Sequence, residues 1–259
     1  MKLHMVPARQ GAQWVKSGIR TFFKQPLALS GLFFMFMAAM SVLSMVPVLG
    51  NIIALALLPA ATLGLMAATQ ETTKGKFPMP TVLVSAFRAG RQQMRGMLVL
   101  GVLYAAGFLL VMGVSALADG GKFARLYLVG GQLSAELLMQ SDFEWAALTA
   151  MALYLPLSLL FWHAPALVHW HGISPVKSLF FSLVACLRNF WAFLVFGLAW
   201  MGVFLGTGLV AAVVSALLGS PQLVGVILFP AGMAMAAMFF TSLYFTYDDT
   251  FDVSTGDSV

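Results

Sequence analysis

Three histidines stand close together in the segment FWHAPALVHWHG, at His163, His169 and His171. Histidine is the commonest metal ligand, and its charge changes near neutral pH. A metal site on a helix needs ligands on one face, such as residues i and i+4, whereas the spacings of six and two found here do not converge on a straight helix. His169 and His171 therefore fit an interfacial position. His163 lies inside an apolar stretch, where it would act either as a hydrogen-bonded structural residue or as a proton relay.

Other residues that could support catalysis are scarce. The chain has a single cysteine, Cys186, which excludes a disulfide framework and a cysteine-based structural metal site. The sequence contains no nucleophile elbow, phosphate-binding loop or motif of paired carboxylates. It accordingly predicts no enzyme activity, no catalytic residue, and no cofactor or metal.

The composition indicates what kind of element must carry these residues. Of the 259 residues, 61% are hydrophobic and 9% are charged, whereas a soluble domain has roughly 25% charged residues. A soluble core of this size could not bury so much apolar surface. The net charge of +5 fits anionic membrane lipids better than nucleic acid. We therefore expect a membrane protein that binds no nucleic acid.

Six apolar stretches are long enough to cross the hydrocarbon core of a bilayer, which takes about 20 residues. They cover residues 27–46, 52–70, 97–118, 145–168, 190–217 and 223–246, and none of them contains a charged residue. The sequence thus predicts an all-α polytopic membrane protein with six transmembrane helices in one domain, 1–247, followed by an acidic cytoplasmic tail at 248–259. The first stretch is too long for the apolar part of a cleavable signal peptide, which favours a retained signal-anchor helix.

The lysines and arginines are distributed unevenly between the two sides of the predicted spans. Twelve lie in the N-terminal arm and in the connections 71–96 and 169–189, whereas two, Lys122 and Arg125, lie in the connection 119–144. Basic residues are concentrated on the cytoplasmic side of membrane proteins. We therefore expect a multi-pass protein of the bacterial inner membrane with both termini in the cytoplasm.

Each predicted cytoplasmic connection contains an amphipathic helix that begins near a proline, at Pro7, Pro80 or Pro175. Apolar residues recur at helical spacing on one face, and basic residues occupy the other. Such helices lie in the headgroup plane with the apolar face toward the lipid tails. The candidates for contact with anionic headgroups are Arg9, Lys16, Arg20, Lys24, Arg88, Arg91, Arg95, Lys177 and Arg188.

Each amphipathic helix precedes a hairpin of two spans, which suggests a threefold repeat over 7–70, 80–171 and 175–247. The returning span of each hairpin carries an apolar-Pro-Ala step, so Pro59, Pro165 and Pro230 are the candidates for helix kinks. The repeat hypothesis predicts that the three returning helices surround a common axis. The alternative is three unrelated kinks in a plain six-helix bundle.

Two long stretches resemble a known family. The segments VPARQGAQWVKSGIRTFFKQPLALSGLFF and HAPALVHWHGISPVKSLFFSLVACLRNF look like those of multi-pass inner-membrane proteins of betaproteobacteria whose activity is not established. The segment GISP at 172–175, followed by Ser182 and Asn189, is also similar to membrane domains that accompany glycerophosphodiester phosphodiesterases. The hydrolase part with its metal-binding carboxylates is missing. The resemblance therefore implies an inner-membrane location and no catalytic residue.

Three classes of function remain open. The charge-free spans, the basic cytoplasmic surface and the lack of a catalytic motif favour a non-enzymatic accessory or scaffold protein, with membrane lipids and another membrane protein as partners. The kinked returning helices would suit a transporter, channel or lipid-handling protein for a neutral or lipidic ligand. An intramembrane enzyme would have to rely on His163 alone.

Overall fold

The computed structural model describes residues 2–46, 48–220 and 222–251. Within these residues the regular structure is helical, and an isolated antiparallel bridge joins Leu3 to Phe251. The predicted all-α fold is therefore confirmed. Asp252 and Asp257 of the predicted acidic tail lie outside the described residues.

The described residues form twelve α-helices and one 3-10 helix. The α-helices are α1 (Gln10–Phe22), α2 (Pro26–Ser44), α3 (Leu49–Thr73), α4 (Ser85–Arg88), α5 (Arg91–Asp119), α6 (Lys122–Val129), α7 (Ala135–Leu138), α8 (Ser141–Phe161), α9 (Ala164–His171), α10 (Pro175–Arg188), α11 (Phe190–Leu217) and α12 (Leu223–Asp248). The 3-10 helix (Pro80–Val84) directly precedes α4.

Six helical segments in the described part of the chain are long and apolar enough to span a membrane. They run over Pro26–Ser44, Leu49–Thr73, Arg91–Asp119, Ser141–His171, Phe190–Leu217 and Val224–Asp248, which confirms the six predicted spans. Large apolar side chains remain exposed along them, and Leu27 and Leu117 are 89% and 85% exposed. Soluble proteins rarely leave such extended apolar surfaces open, whereas lipid tails cover them in a bilayer. The chain is thus a polytopic membrane protein.

The chain folds into two compact units. One comprises Met1–Met35, Gly64–Ser85 and Ala185–Val259, and the other comprises Phe36–Leu63 and Ala86–Val184. These boundaries differ from those of the predicted repeats 7–70, 80–171 and 175–247. Compact units do not test whether three segments share one structure, so the threefold repeat stays a prediction.

The first unit is built around α1, which packs against α11 and α12. Trp14 is 1% exposed, and its ring centroid lies 5.2 Å from that of Phe193. A Cβ atom on Gly11 would lie 2.0 Å from the carbonyl oxygen of Ala192, so glycine is needed for this close approach. The apolar face of α1 is therefore buried in protein. The prediction that this face enters the lipid is wrong, because glycine allows α1 to pack directly on the neighbouring helices.

The second unit is built around the packing of α5 against α8. The hydroxyl oxygens of Tyr104 and Tyr154 are 3.2 Å apart, and the ring of Tyr104 meets that of Phe161 edge-on at 5.0 Å. A Cβ atom on Gly101 would lie 2.1 Å from the carbonyl oxygen of Ala56. Aromatic contacts and a close backbone approach thus hold this unit together, as is common between transmembrane helices.

The span Ser141–His171 is interrupted between α8 and α9, just before His163. The hydroxyl of Ser182 fills the interruption: it accepts a hydrogen bond from the backbone N–H of His163 at 2.9 Å and donates one to the carbonyl oxygen of Leu159 at 2.8 Å. In a continuous helix this N–H and this carbonyl would bond to each other. A side chain inserted into the helical ladder is a recognised cause of a kink.

The three candidate kink prolines have different local structures. Pro165 lies in the first turn of α9, directly after the interruption. Pro59 and Pro230 lie inside α3 and α12, whose helical conformation continues through them. Proline at the start of a helix loses no helical hydrogen bond, whereas proline inside a helix does. The three prolines are therefore not equivalent in their backbone environment.

The amphipathic helix predicted after Pro80 is not continuous. The 3-10 helix and α4 are followed by Gly90, whose φ of 116° is a conformation that other residues rarely adopt, and α5 begins at the next residue. Arg91 and Arg95 consequently belong to the start of a membrane span rather than to a surface helix. The helix predicted after Pro175 does form, as α10.

Candidate functional site

The nine basic residues predicted to contact headgroups are all exposed. Four of them lie on or next to α1, three on α4 and α5, and two on α10; they are Arg9, Lys16, Arg20, Lys24, Arg88, Arg91, Arg95, Lys177 and Arg188. Two grooves contain some of these residues, one in each compact unit.

A groove of about 370 Å³ lies in the second unit, where the start of α5 meets the turn between α9 and α10. We call it the α5 groove. Its polar lining consists of Gln92, Gln93, Arg95 and Ser174, and its apolar lining includes Val99 and Val176. A cationic side chain, two amides and a hydroxyl therefore share one groove with an apolar wall.

Two glycines shape the α5 groove. Gly172 has a φ of 63° at the end of α9, and this turn allows α10 to begin at Pro175. A Cβ atom on Gly96 would lie 2.9 Å from Cγ1 of Val168, so glycine allows α5 to come close to α9. The local sequence thus sets both the direction of the chain and the width of the groove.

The electrostatics of the α5 groove favour an anion. Both α5 and α10 begin at its lining, and neither has an acidic residue in its first turn. The N-terminus of a helix carries a partial positive charge and unpaired backbone N–H groups. Gly90, at the N-cap of α5, provides no side chain to bond these groups. Arg95 adds a full positive charge to the same place.

The groove in the first unit, which we call the α1 groove, has a volume of about 470 Å³. It is lined by Ser17, Arg20, Thr21, Lys24, Thr73 and Phe245. These residues lie near the C-terminal ends of α1, α3 and α12. Helix C-termini carry a partial negative charge and are stabilised by nearby cations. Arg20 and Lys24 therefore have a structural use here, and the α1 groove is a weaker candidate for an anion site.

The two ends of the chain meet in the first unit through a carboxylate. One carboxylate oxygen of Asp249 accepts hydrogen bonds from Nε2 of Gln10 at 2.6 Å and from Nε1 of Trp14 at 2.7 Å. Asp248 still belongs to α12. The start of the predicted acidic tail at 248–259 is therefore part of the folded structure. Sequence reasoning missed this role, although a tryptophan N–H on an otherwise apolar helix face is a signal for a buried acceptor.

A second polar anchor of the first unit is Asn189. Its Oδ1 accepts from the backbone N–H of Val6 at 2.8 Å, and its Nδ2 donates to the carbonyl oxygens of His4 and Ala185, each at 3.1 Å. Asn189 is 2% exposed. The segment before α1 is thus fixed to the end of α10 by side-chain hydrogen bonds.

The histidines do not form a metal site in the part of the chain that the structure describes, where no group of three His, Cys, Asp or Glu side chains could hold a metal ion. His163 is fully buried at the N-cap of α9, and its backbone N–H is bonded to Ser182. His169 and His171 lie in the last turn of α9. Cys186, on α10, is buried, and this burial raises the pKa of its thiol to about 12.

The chain is similar to a curated protein over nearly its full length. The chain is 40% identical, over 256 residues, to a probable inner membrane protein of Burkholderia thailandensis. The match covers 98% of this chain and 95% of that protein. No family model and no solved structure matches the chain.

Proposed function

We propose that this chain, which belongs to the family of this probable inner membrane protein from a betaproteobacterium, is a non-enzymatic accessory or scaffold protein. It binds anionic lipids at the cytoplasmic face of the inner membrane. Both termini and the basic connections face the cytoplasm. The lipid headgroups and a second membrane protein are its partners.

The observation that carries this proposal is the exposure of the basic side chains. None of the nine predicted headgroup contacts forms an ion pair with a carboxylate among the described residues, so their charges are available to an external anion. Each lysine or arginine near an anionic bilayer surface contributes about 1 kcal/mol of attraction. Several such residues on one side of the membrane would hold that side against acidic lipids.

A second candidate function is lipid handling, and the α5 groove favours it. The groove combines a cation and a hydroxyl with an apolar wall. A phospholipid has the complementary groups, an anionic phosphate and apolar acyl chains. A scaffold needs only surface attraction, whereas a lipid-handling protein needs a defined headgroup site.

Mass spectrometry after extraction in a mild detergent tests the proposal. We expect a membrane-protein partner at fixed stoichiometry and more anionic than zwitterionic lipid in the purified sample. Replacing Arg88, Arg91 and Arg95 with glutamine should reduce the anionic share, whereas Lys122→Gln with Arg125→Gln, in the predicted periplasmic connection, should leave it unchanged. A chain that purifies without a partner and without a lipid preference would refute the proposal.

A further inference from the structure

The α5 groove brings polar side chains together that have no evident use in holding the fold. Within the described residues, Arg95 forms no ion pair, and the side chains of Gln92, Gln93 and Ser174 form no hydrogen bond. All four line the same groove. A guanidinium, two amides and a hydroxyl are donors suited to the oxygens of a phosphate group.

The helix ends next to these side chains also favour the binding of an anion. Basic residues occupy the first turns of both helices, with Arg91 at the start of α5 and Lys177 near the start of α10. Cations at helix N-termini have the unfavourable sign, because they repel the positive end of the helix dipole. An anion bound between them would remove this repulsion. The cations of the α1 groove experience no such repulsion, because they lie near a helix C-terminus, whose partial charge is negative.

The apolar side of the α5 groove indicates which phosphate compound would occupy it. Val99 is 46% exposed on α5, a helix that spans the membrane, and Val176 is 70% exposed. A phosphate carried by a lipid would place its acyl chains along such an apolar surface. Inorganic phosphate would gain nothing from it.

We propose that the α5 groove is a specific site for the phosphate group of an anionic phospholipid, with Arg95 and Ser174 as its main side-chain contacts. This inference rests on the proposed contact with anionic lipids and deepens it. General surface attraction depends on the number of charges, whereas this site depends on the positions of individual side chains.

The test uses the full chain in mild detergent and measures the binding of short-chain phosphatidic acid, with short-chain phosphatidylcholine and inorganic phosphate as further probes. Arg95→Gln should weaken the binding of phosphatidic acid at least tenfold, because a charge-assisted hydrogen bond contributes about 1.5–3 kcal/mol. Ser174→Ala, which changes no charge, should weaken it about fivefold, in line with a neutral hydrogen bond of about 1 kcal/mol.

Arg88→Gln is the matched control, because it removes the same charge at an exposed residue of α4, outside the groove lining and outside the two helices that begin at the groove. We expect it to weaken binding less than about twofold, given the screening of exposed charges. Gel filtration and thermal unfolding establish that each variant is folded, and Ser174→Ala provides the decisive measurement if Arg95→Gln does not fold.

Equal effects of Arg95→Gln and Arg88→Gln, with no effect of Ser174→Ala, would overturn the site while leaving the proposed attraction to anionic lipids intact. Competition by inorganic phosphate as strong as that by the lipid would overturn the lipid as the source of the phosphate group. Equal binding of phosphatidic acid and phosphatidylcholine by the unmodified chain would overturn both the site and the proposed function.

Discussion

Replacing Ser182 with alanine tests how the broken span between α8 and α9 is stabilised. The Ser182 side chain is fully buried, and its hydroxyl bonds both the N–H of His163 and the carbonyl of Leu159. Alanine keeps the helix propensity of α10 and removes both hydrogen bonds. Two buried backbone groups then each lose the hydrogen bond to this hydroxyl, and each such loss costs about 1–3 kcal/mol. We expect the free energy of unfolding to fall by about 2–4 kcal/mol, since partial closure of the helix recovers some of the cost.

The matched control for Ser182→Ala is Ser178→Ala. Ser178 lies one turn earlier on α10 and is also fully buried, but its hydroxyl donates to Pro175 within its own helix at 2.7 Å. Its removal takes away a local hydrogen bond without opening a gap in another helix. We expect a loss of about 1 kcal/mol or less.

Titration with SDS in mixed micelles measures both variants, with helical circular dichroism as the signal. We expect Ser182→Ala to unfold at a clearly lower SDS fraction than Ser178→Ala. If the two variants lose the same free energy, within about 0.5 kcal/mol, the hydroxyl does not hold the interruption in place. A straight, directly bonded helix across His163 would then be the better description.

Three further predictions concern the first unit and the orientation of the chain. Asp249→Ala removes the acceptor for Gln10 and Trp14, so the amide hydrogen exchange of α1 should accelerate at least about tenfold. Asp142→Ala, at an exposed carboxylate, should leave the exchange of α1 unchanged, and an unchanged exchange rate in Asp249→Ala would show that this carboxylate does not anchor α1. Burial raises the pKa of the Cys186 thiol to about 12, so the thiol stays protonated at pH 8 in the folded protein. A maleimide should therefore label Cys186 in SDS but not in the folded protein, and labelling of the folded protein would contradict the burial. Reporter fusions at residues 75 and 259 should behave as cytoplasmic and a fusion after residue 120 as periplasmic; a periplasmic C-terminus would overturn the orientation.

The spans could be predicted from the sequence because burial in lipid leaves a strong compositional signal. Their ends were harder to place, since a helix continues beyond the apolar part of its sequence. The third span begins at Arg91, six residues before the apolar stretch that starts at Met97. Apolar composition therefore finds the membrane-embedded part of a helix, whereas glycines such as Gly90 determine where the helix starts.

Contacts between distant segments could not be predicted in the same way. Trp14 and Asp249 are separated by 235 positions, and nothing near either residue identifies the other as its partner. The amphipathic pattern of α1 is equally compatible with lipid or with protein under its apolar face. Gly11 and Gly18, which both allow backbones to come close, were the features of the sequence that pointed to protein.

The position of a basic residue along its helix determines what its charge contributes. Arg20 lies in the last turn of α1, where it offsets the negative end of the helix, so its presence is explained by the stability of the first unit. Arg95 follows the start of α5, where the helix end is already positive and no acidic residue compensates it. Such an arrangement costs free energy in the isolated protein unless an anion binds there. A count of basic residues treats Arg20 and Arg95 alike, whereas the direction of their helices separates them: Arg20 stabilises a helix end, and Arg95 lies where the proposed anion would offset the positive charge.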